Sequence, residues 1–328
     1  MIAGAEITRV DQEKNLAVYR AYSKVNLALG VGAKRPDNYH DIWTVMVPVR
    51  VYDLVSVSSS HWSPIPSSEE SPRISVTCPC VHLPPEKNLV YKAASAFLEE
   101  TRTSAAISIS VEKAIPAGAG MGGGSSDAAA VLLALNSGVL RSRVLSPDRL
   151  VHLAARIGAD VPFFLGCNSR PPLWEGALCT GIGEKVLPLA VPEMWMVIVV
   201  PQRGVDTREA YKRWDDISLG AAEFADPRMK VFLDSAASGD IAQVGKALYN
   251  DLEDAVTEMN DVISETKRRL LEYGSLGAAM TGSGSAVFGL VRSEVAAKKL
   301  ADRVRLAAGG SDIKEIFVTR TGVDRDAC

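Results

Sequence analysis

The sequence predicts an α+β protein of two domains, and three observations carry that expectation. Residues 107–136 read as a strand, a glycine-dense loop and a helix in direct succession. From residue 194 onward the order changes to strand, helices, two strands, helix, strand. With the first group of helices collapsed, this is the β-α-β-β-α-β order of a split ferredoxin-like domain. Between the two regimes, Pro188 and Pro192 mark a linker, so the expected domains are residues 1–190 and 191–328. No internal repeat is visible.

Composition narrows the class. The chain is 47% apolar and 23% charged, ordinary for a soluble enzyme. A net charge of −3 gives no whole-chain electrostatic case for a nucleic-acid partner. No apolar run approaches the roughly 20 residues of a membrane span. The first residues carry Glu6, Asp11 and Glu13 and lack the basic and apolar regions of a signal peptide. Five cysteines (78, 80, 167, 179 and 328) are odd in number and irregular in spacing, so a reducing, cytoplasmic setting is expected. Cys78-Pro-Cys80-Val-His82 lacks the spacing and the second ligand pair of a zinc site, and no metal is expected there.

Taken in order, residues 21–31 form a strand whose Val25, Leu27, Leu29 and Val31 share one face. Lys24 and Asn26 then project together from the other, as solvated residues or into a cleft. A polar loop follows, ending in Tyr39 and His40, and a second strand spans 42–57. The Ser/Pro/Glu-rich residues 58–72 are expected to be a mobile loop. Residues 88–100 are a helix with Leu89, Ala93, Ala96 and Phe97 on one side.

Ile107, Ile109 and Val111 alternate as in a half-buried strand, Pro116 interrupts, and five of the seven residues 118–124 are glycine (118, 120, 122, 123 and 124). Ser125, Ser126 and Asp127 supply N-cap chemistry for an Ala/Leu-rich helix that Asn136 and Gly138 stop. Such a loop collects free N–H donors and the positive end of a helix dipole, which suits a phosphate; the plainer role is a tight turn packing helix on strand. Gly118, Gly120 and Gly123 match the dinucleotide pattern G-x-G-x-x-G, but that motif requires a following strand with an acidic end. Here Ser146-Pro147-Asp148 opens another helix, with Leu150, Leu153, Ala154 and Ile157 in helical period. A nicotinamide-dependent oxidoreductase is thereby disfavoured. The loop has no lysine for a Walker A motif, and the chain has no His-Arg-Asp or Asp-Phe-Gly of a protein kinase.

Gly158-Ala-Asp160 stands directly ahead of an apolar run at 161–165, and residues 173–187 read as a hairpin around Gly181-Ile-Gly183-Glu184. In the second half, strands are expected at 194–200, 277–280, 286–291 and 313–319. Helices are expected at 208–214, 228–237, 241–248, 262–273 and 294–307. Thr281-Gly-Ser283-Gly284-Ser285 joins the middle strands.

The glycine loop resembles the signature of the GHMP small-molecule kinases. Together with Ala-Tyr-Ser-Lys24-Val-Asn26, Asp-Asn-Tyr39-His40, Gly-Ala-Asp160-Val-Pro-Phe, Asn250-Asp-Leu-Glu253 and Thr281-Gly-Ser-Gly284, it is similar to the 4-diphosphocytidyl-2-C-methyl-D-erythritol kinase family over residues 20–320. The resemblance implies a ribosomal-protein-S5-like first domain, a ferredoxin-like second domain and an active site between them. It implies ATP- and Mg²⁺-dependent phosphorylation of the 2-hydroxyl of that cytidyl compound in the non-mevalonate isoprenoid route, with the small molecule as partner. A homoserine- or mevalonate-type kinase and a binding-only sensor are the alternatives; oligomeric state stays open.

By the same resemblance, Asp160 is the general base, or a group that orients the hydroxyl, and Lys24 offsets transition-state charge. Gly118 to Ser126 hold the phosphates, with Ser125 or Ser126 serving Mg²⁺. Asn88, Leu89, Lys113 and Pro116 line the ATP site. Asn26, Tyr39, His40, Thr207 and Tyr211 bind substrate, with Tyr39 and Tyr211 on opposite faces of cytosine and His40 at its edge. Three departures stand out: Asn38 replaces a glycine, and residues 166–175 and 58–72 are expected to project as extended loops.

Overall fold

The structure, a computed structural model, describes residues 10–11, 15–63, 73–79, 84, 87–139, 144–169, 172–218, 226–308 and 312–324. Its first sheet is built on two long strands, β2 (Leu16–Lys34) and β3 (His40–Ser63), paired antiparallel. β1 (Val10–Asp11) lies outside β2. β5 (Ser104–Glu112) runs antiparallel to β3, and β4 (Arg73–Thr77) runs parallel to β5, giving the order β1-β2-β3-β5-β4. The other end of β3 receives a hairpin of β6 (Ala177–Gly181) and β7 (Lys185–Pro188).

Among the described residues four helices cover this sheet: α1 (Leu89–Thr101), α2 (Gly123–Ala134, continued by a π-helical turn, Leu135–Val139), α3 (Pro147–Ile157) and α4 (Val161–Asn168). Asn88 caps α1, its Oδ1 accepting the Val90 N–H at 3.0 Å. α2 is the central one. Ala128 to Leu132 are completely buried, because α1, α4 and the sheet enclose it on several sides.

The second sheet has the order β10-β11-β8-β12, antiparallel throughout: β8 (Trp195–Pro201), β10 (Gly277–Met280), β11 (Val287–Val291) and β12 (Ile313–Arg320). With α9 (Asp261–Glu272) and α10 (Glu294–Ala308) as its crossovers, this is the expected ferredoxin-like plan. The insertion after β8 holds α5 (Thr207–Ile217), α6 (Pro227–Ser238), α7 (Ile241–Ala247) and α8 (Leu252–Thr257).

The halves are joined by more than the linker. β9 (Tyr249–Asn250) leaves the second half and pairs parallel to β2 at Ala28 and Leu29. One buried apolar cluster contains Val25, Leu27, Val45 and Val47 from the first sheet with Met196, Ile198 and Phe288 from the second. Neither β9 nor α8 was foreseen; a two-residue strand and a six-residue helix are too short to show a period.

Two loop expectations need correction. Ser58–Ser63 are strand, since Ser58 pairs with Ser108 and Ser60 with Ala106; residues 64–72 lie outside the described ones. Residues 166–169 do not project: Gly166, Cys167 and Asn168 complete α4. Trp174 folds back onto Gly166, where a Cβ would collide with the indole, and its Nε1–H donates to Phe163 O at 3.1 Å. Arg170 and Pro171, like Cys80 and His82 of the cysteine motif, lie outside the described residues. Asn38 takes the left-handed conformation its replacement of glycine requires, with φ 67°. No helix among the described residues is long and apolar enough to cross a membrane.

Candidate active site

The glycine loop runs from the end of β5 into α2. Gly118, Gly120 and Gly122 have φ of 70°, 74° and 74°, so every second residue of this stretch is left-handed. A Cβ on Gly120 would lie 2.2 Å from Thr281 O, and one on Gly122 would lie 2.8 Å from the Phe164 ring. Glycine at these two positions is set by close packing as well as by φ. Asn88, Leu89, Lys113, Pro116, Gly118, Gly120, Gly122, Gly123, Gly124 and Ser125 all line one cavity of about 390 Å³. Ser126 does not. Its side chain is buried and its Oγ accepts from Asn168 Nδ2 at 3.0 Å, which ties α2 to the end of α4.

At the floor of this cavity lies a charged cluster that the sequence did not suggest. Lys113 Nζ donates to Asp53 and, at 2.8 Å, to Asp127 Oδ2. Asp53 is fully buried and its Oδ1 accepts the N–H groups of Ala114 and Ile115 at 2.6 and 2.8 Å, so it fixes the chain just before the loop. Burial, and then the neighbouring Asp53 carboxylate, push Asp127 up to about 8. Burial works against the Lys113 charge, but the two carboxylates outweigh it and hold Lys113 above its ordinary value. The Lys113 ammonium is therefore held within the cluster by its bonds to both carboxyl groups.

Lys24 and Asn26 are buried on β2, with the Lys24 backbone N–H donating to Met121 O at 3.1 Å. Burial lowers the Lys24 pKa, and the Asp160 carboxylate opposes the shift. Asn26 Oδ1 accepts from Lys24 Nζ at 2.5 Å and from the Thr281 hydroxyl at 3.1 Å, while its Nδ2 donates to Thr44 Oγ1 at 2.8 Å. Asn26 thus steers Lys24 and makes contacts across both halves of the chain. Asp160 sits at the head of α4 without capping it, and its Oδ2 is 3.8 Å from Lys24 Nζ.

The expected base-binding residues come from both halves. Tyr39 is 59% exposed in the β2–β3 turn, and His40 begins β3 with its side chain buried. Tyr211 on α5 stacks on His40 with ring centroids 5.1 Å apart, and Trp214 meets His40 edge-on at 5.5 Å. The structure brings Tyr211 against the His40 ring. Burial, then the Asp160 charge, raise the Tyr211 hydroxyl well above the usual range, so Asp160 acts on this cluster too. Thr207 Oγ1 and Ser283 Oγ are 2.8 Å apart.

Asp215, Thr44 and Asp53 were missed; Thr281 and Ser283 entered only as part of a motif, and Asp127 only as cap chemistry. One signal was available: Asp215 follows Tyr211 by four residues and so shares its helical face.

A split ferredoxin-like domain beside a sheet-and-helix domain, with a glycine loop opening α2, defines a GHMP kinase. Models of the GHMP kinases N terminal domain and of the GHMP kinases C terminal region match residues 88–167 and 232–309. Within that class, the chain belongs to the 4-diphosphocytidyl-2-C-methyl-D-erythritol kinase family. It is 38% identical to the kinase of that name from Desulfitobacterium hafniense, over 86% of this chain and 89% of the relative. To the one from Symbiobacterium thermophilum it is 39% identical, over 87% and 94%. A crystal structure of 4-(cytidine 5'-diphospho)-2C-methyl-D-erythritol kinase superposes with a TM-score of 0.69 at 32% identity, covering 94% of this chain and all of that one. Homoserine kinase from Cytophaga hutchinsonii shares the fold, with a TM-score of 0.67 at 20% identity over 93% and 96%.

Proposed function

We propose that the chain transfers the γ-phosphoryl group of ATP to the 2-hydroxyl of 4-diphosphocytidyl-2-C-methyl-D-erythritol, a step of the non-mevalonate isoprenoid pathway. In this reading residues 1–190 bind ATP and carry the catalytic groups, and residues 191–328 complete the substrate site. The proposed setting is cytoplasmic.

The observation that supports this reading best is the Lys24–Asp160 pair, 3.8 Å apart and beside the glycine loop. Phosphoryl transfer to an alcohol requires a held triphosphate, neutralised charge and an oriented hydroxyl. The loop's N–H groups and the α2 N-terminus hold the phosphates. Lys24 faces the transferring group and offsets its charge. Asp160 is not bonded tightly to Lys24, so its carboxylate is free to accept the substrate hydroxyl and take its proton.

Mg²⁺ fits a donor set of one hydroxyl, because it keeps several waters and binds mainly through substrate phosphates. Ser125, which lines the cavity, would hold it, whereas Ser126 is engaged by Asn168. When bound, it would neutralise phosphate charge. An ADP-release assay over the cytidyl compound, homoserine and mevalonate tests the reading. Turnover of the cytidyl compound alone is expected; turnover of either other alcohol without it overturns the proposal.

A further inference from the structure

His40 is held from a direction that the family motifs do not contain. Asp215, one turn beyond Tyr211 on α5, lies with its Oδ1 at 2.7 Å from His40 Nε2. Its Oδ2 accepts from Lys34 Nζ at 2.8 Å, and Lys34 is the β2 residue opposite His40 in the ladder. Partial burial works against the Asp215 charge, but the Lys34 and His40 bonds outweigh it and hold the carboxyl below its ordinary range. An ionised carboxylate only accepts hydrogen bonds, so Nε2 must carry the proton.

The consequence lies at the other ring nitrogen. In the uncharged ring, donation of Nε2–H to Asp215 leaves the lone pair on Nδ1. Among the described residues Nδ1 has no hydrogen-bond partner. Tyr211 stacks on the ring and Trp214 meets it edge-on, with centroids 5.1 and 5.5 Å away. A fixed acceptor matches the 4-amino group of cytosine and opposes the 4-oxo group of uracil.

Building on the function proposed above, we infer that Asp215 is a positioning residue for base selection. It locks His40 in the Nε2–H tautomer, so that Nδ1 accepts from the cytosine amino group and rejects uridine. Lys34 supports the lock by keeping Asp215 ionised. Asp215 itself touches neither the base nor the phosphoryl group.

The test compares the parent, Asp215→Asn and Asp215→Glu. It uses the cytidyl substrate and its uridyl analogue, with kcat and KM measured for each and KM for ATP, and melting temperatures to confirm folding. An asparagine can turn either a donor or an acceptor toward His40, so the lock is lost with little change of volume. Asp215→Asn should raise KM for the cytidyl substrate about tenfold and reduce cytidyl-over-uridyl discrimination by a similar factor, the scale of one hydrogen bond of about 1.4 kcal/mol. kcat and KM for ATP should stay within about threefold. Asp215→Glu, which keeps the carboxylate, should recover most of the discrimination.

Imidazole ¹⁵N spectra read the tautomer directly, with the protein at pH 8 and His40 assigned by a His40→Gln variant. The parent should show an Nε2–H imidazole and Asp215→Asn a mixture. A parent His40 protonated on Nδ1 would overturn the inference. So would an Asp215→Asn variant that loses kcat equally on both substrates with discrimination intact. A parent inactive on the cytidyl substrate would overturn the function it builds on, and base selection with it.

Discussion

Asp160 stands at the head of α4 but caps nothing, and the nearest cation approaches only to 3.8 Å. A carboxylate kept loosely paired in a half-open position is available to a substrate hydroxyl. Asp160→Asn is therefore expected to lower kcat by roughly 10²- to 10⁴-fold, with KM for ATP nearly unchanged. Steady-state kinetics decide this, and a variant with half the parent's kcat would reduce Asp160 to a loop residue. Asp127 presents the opposite case, a carboxyl whose burial and carboxylate neighbour hold its proton up to about pH 8. The unfolded chain releases that proton near pH 3.9. Between the two values the folded state binds the extra proton, so this group's contribution to stability falls as pH rises and levels off above about 8. Asp127→Asn removes the dependence and should gain thermal stability on the parent progressively from pH 5.5 to pH 8.5. A gap that does not change with pH would show that Asp127 is ionised throughout.

At the scale of elements, the glycine loop is shaped by what packs behind it. Ala286 N–H donates to Ala119 O at 3.2 Å, and Gly120 lies against the Thr281–Gly284 turn of the second half. Two neighbouring glycines should therefore respond differently. At Gly118 nothing lies within 4 Å of an added Cβ, so Gly118→Ala meets only the left-handed penalty, about 1–2 kcal/mol. At Gly120 the added Cβ meets Thr281 O, and the loop itself must move. Gly120→Ala is expected to raise KM for ATP tenfold or more, the equivalent of about 1.4 kcal/mol, while Gly118→Ala lowers the melting temperature and leaves KM for ATP within about threefold. Equal effects on KM would mean that the turn from the second half does not shape the loop.

Across the whole molecule, the two sheets share one apolar cluster, and β9 threads the second half into the first sheet. Neither half can lose its packing alone without exposing that shared surface. The prediction is a single urea unfolding transition, coincident by far-UV circular dichroism and by tryptophan fluorescence, since Trp43 reports on the first sheet and Trp195 on the second. Phe288→Ala, at the shared cluster, should lower stability by about 3–5 kcal/mol and shift both signals together. Two resolved transitions would show that the halves fold independently.

Features that depend on local periodicity and on the chemistry of single turns were readable from the residues alone. The strands around Lys24 and Ile109, the helix opened by the glycine loop, the helix begun by Pro147 and the ferredoxin-like order were all legible in the sequence. So was the glycine loop as a phosphate cradle, because such a loop is a continuous segment whose backbone does the work, whereas Asn88, Leu89, Lys113 and Pro116 on the same cavity came from the family resemblance. Partnerships between distant segments were not legible. That Asn26 steers Lys24 with Thr281, that Ser126 is taken up by Asn168, and that Asp215 holds His40 depends on pairs separated by 255, 42 and 175 residues. A side chain's residue type states what it can donate or accept, but only the packed fold decides which partner it meets. Burial then decides how much the meeting is worth, as for Lys113 against the buried Asp53, because a charge withdrawn from water persists only where the tertiary structure supplies its counter-charge.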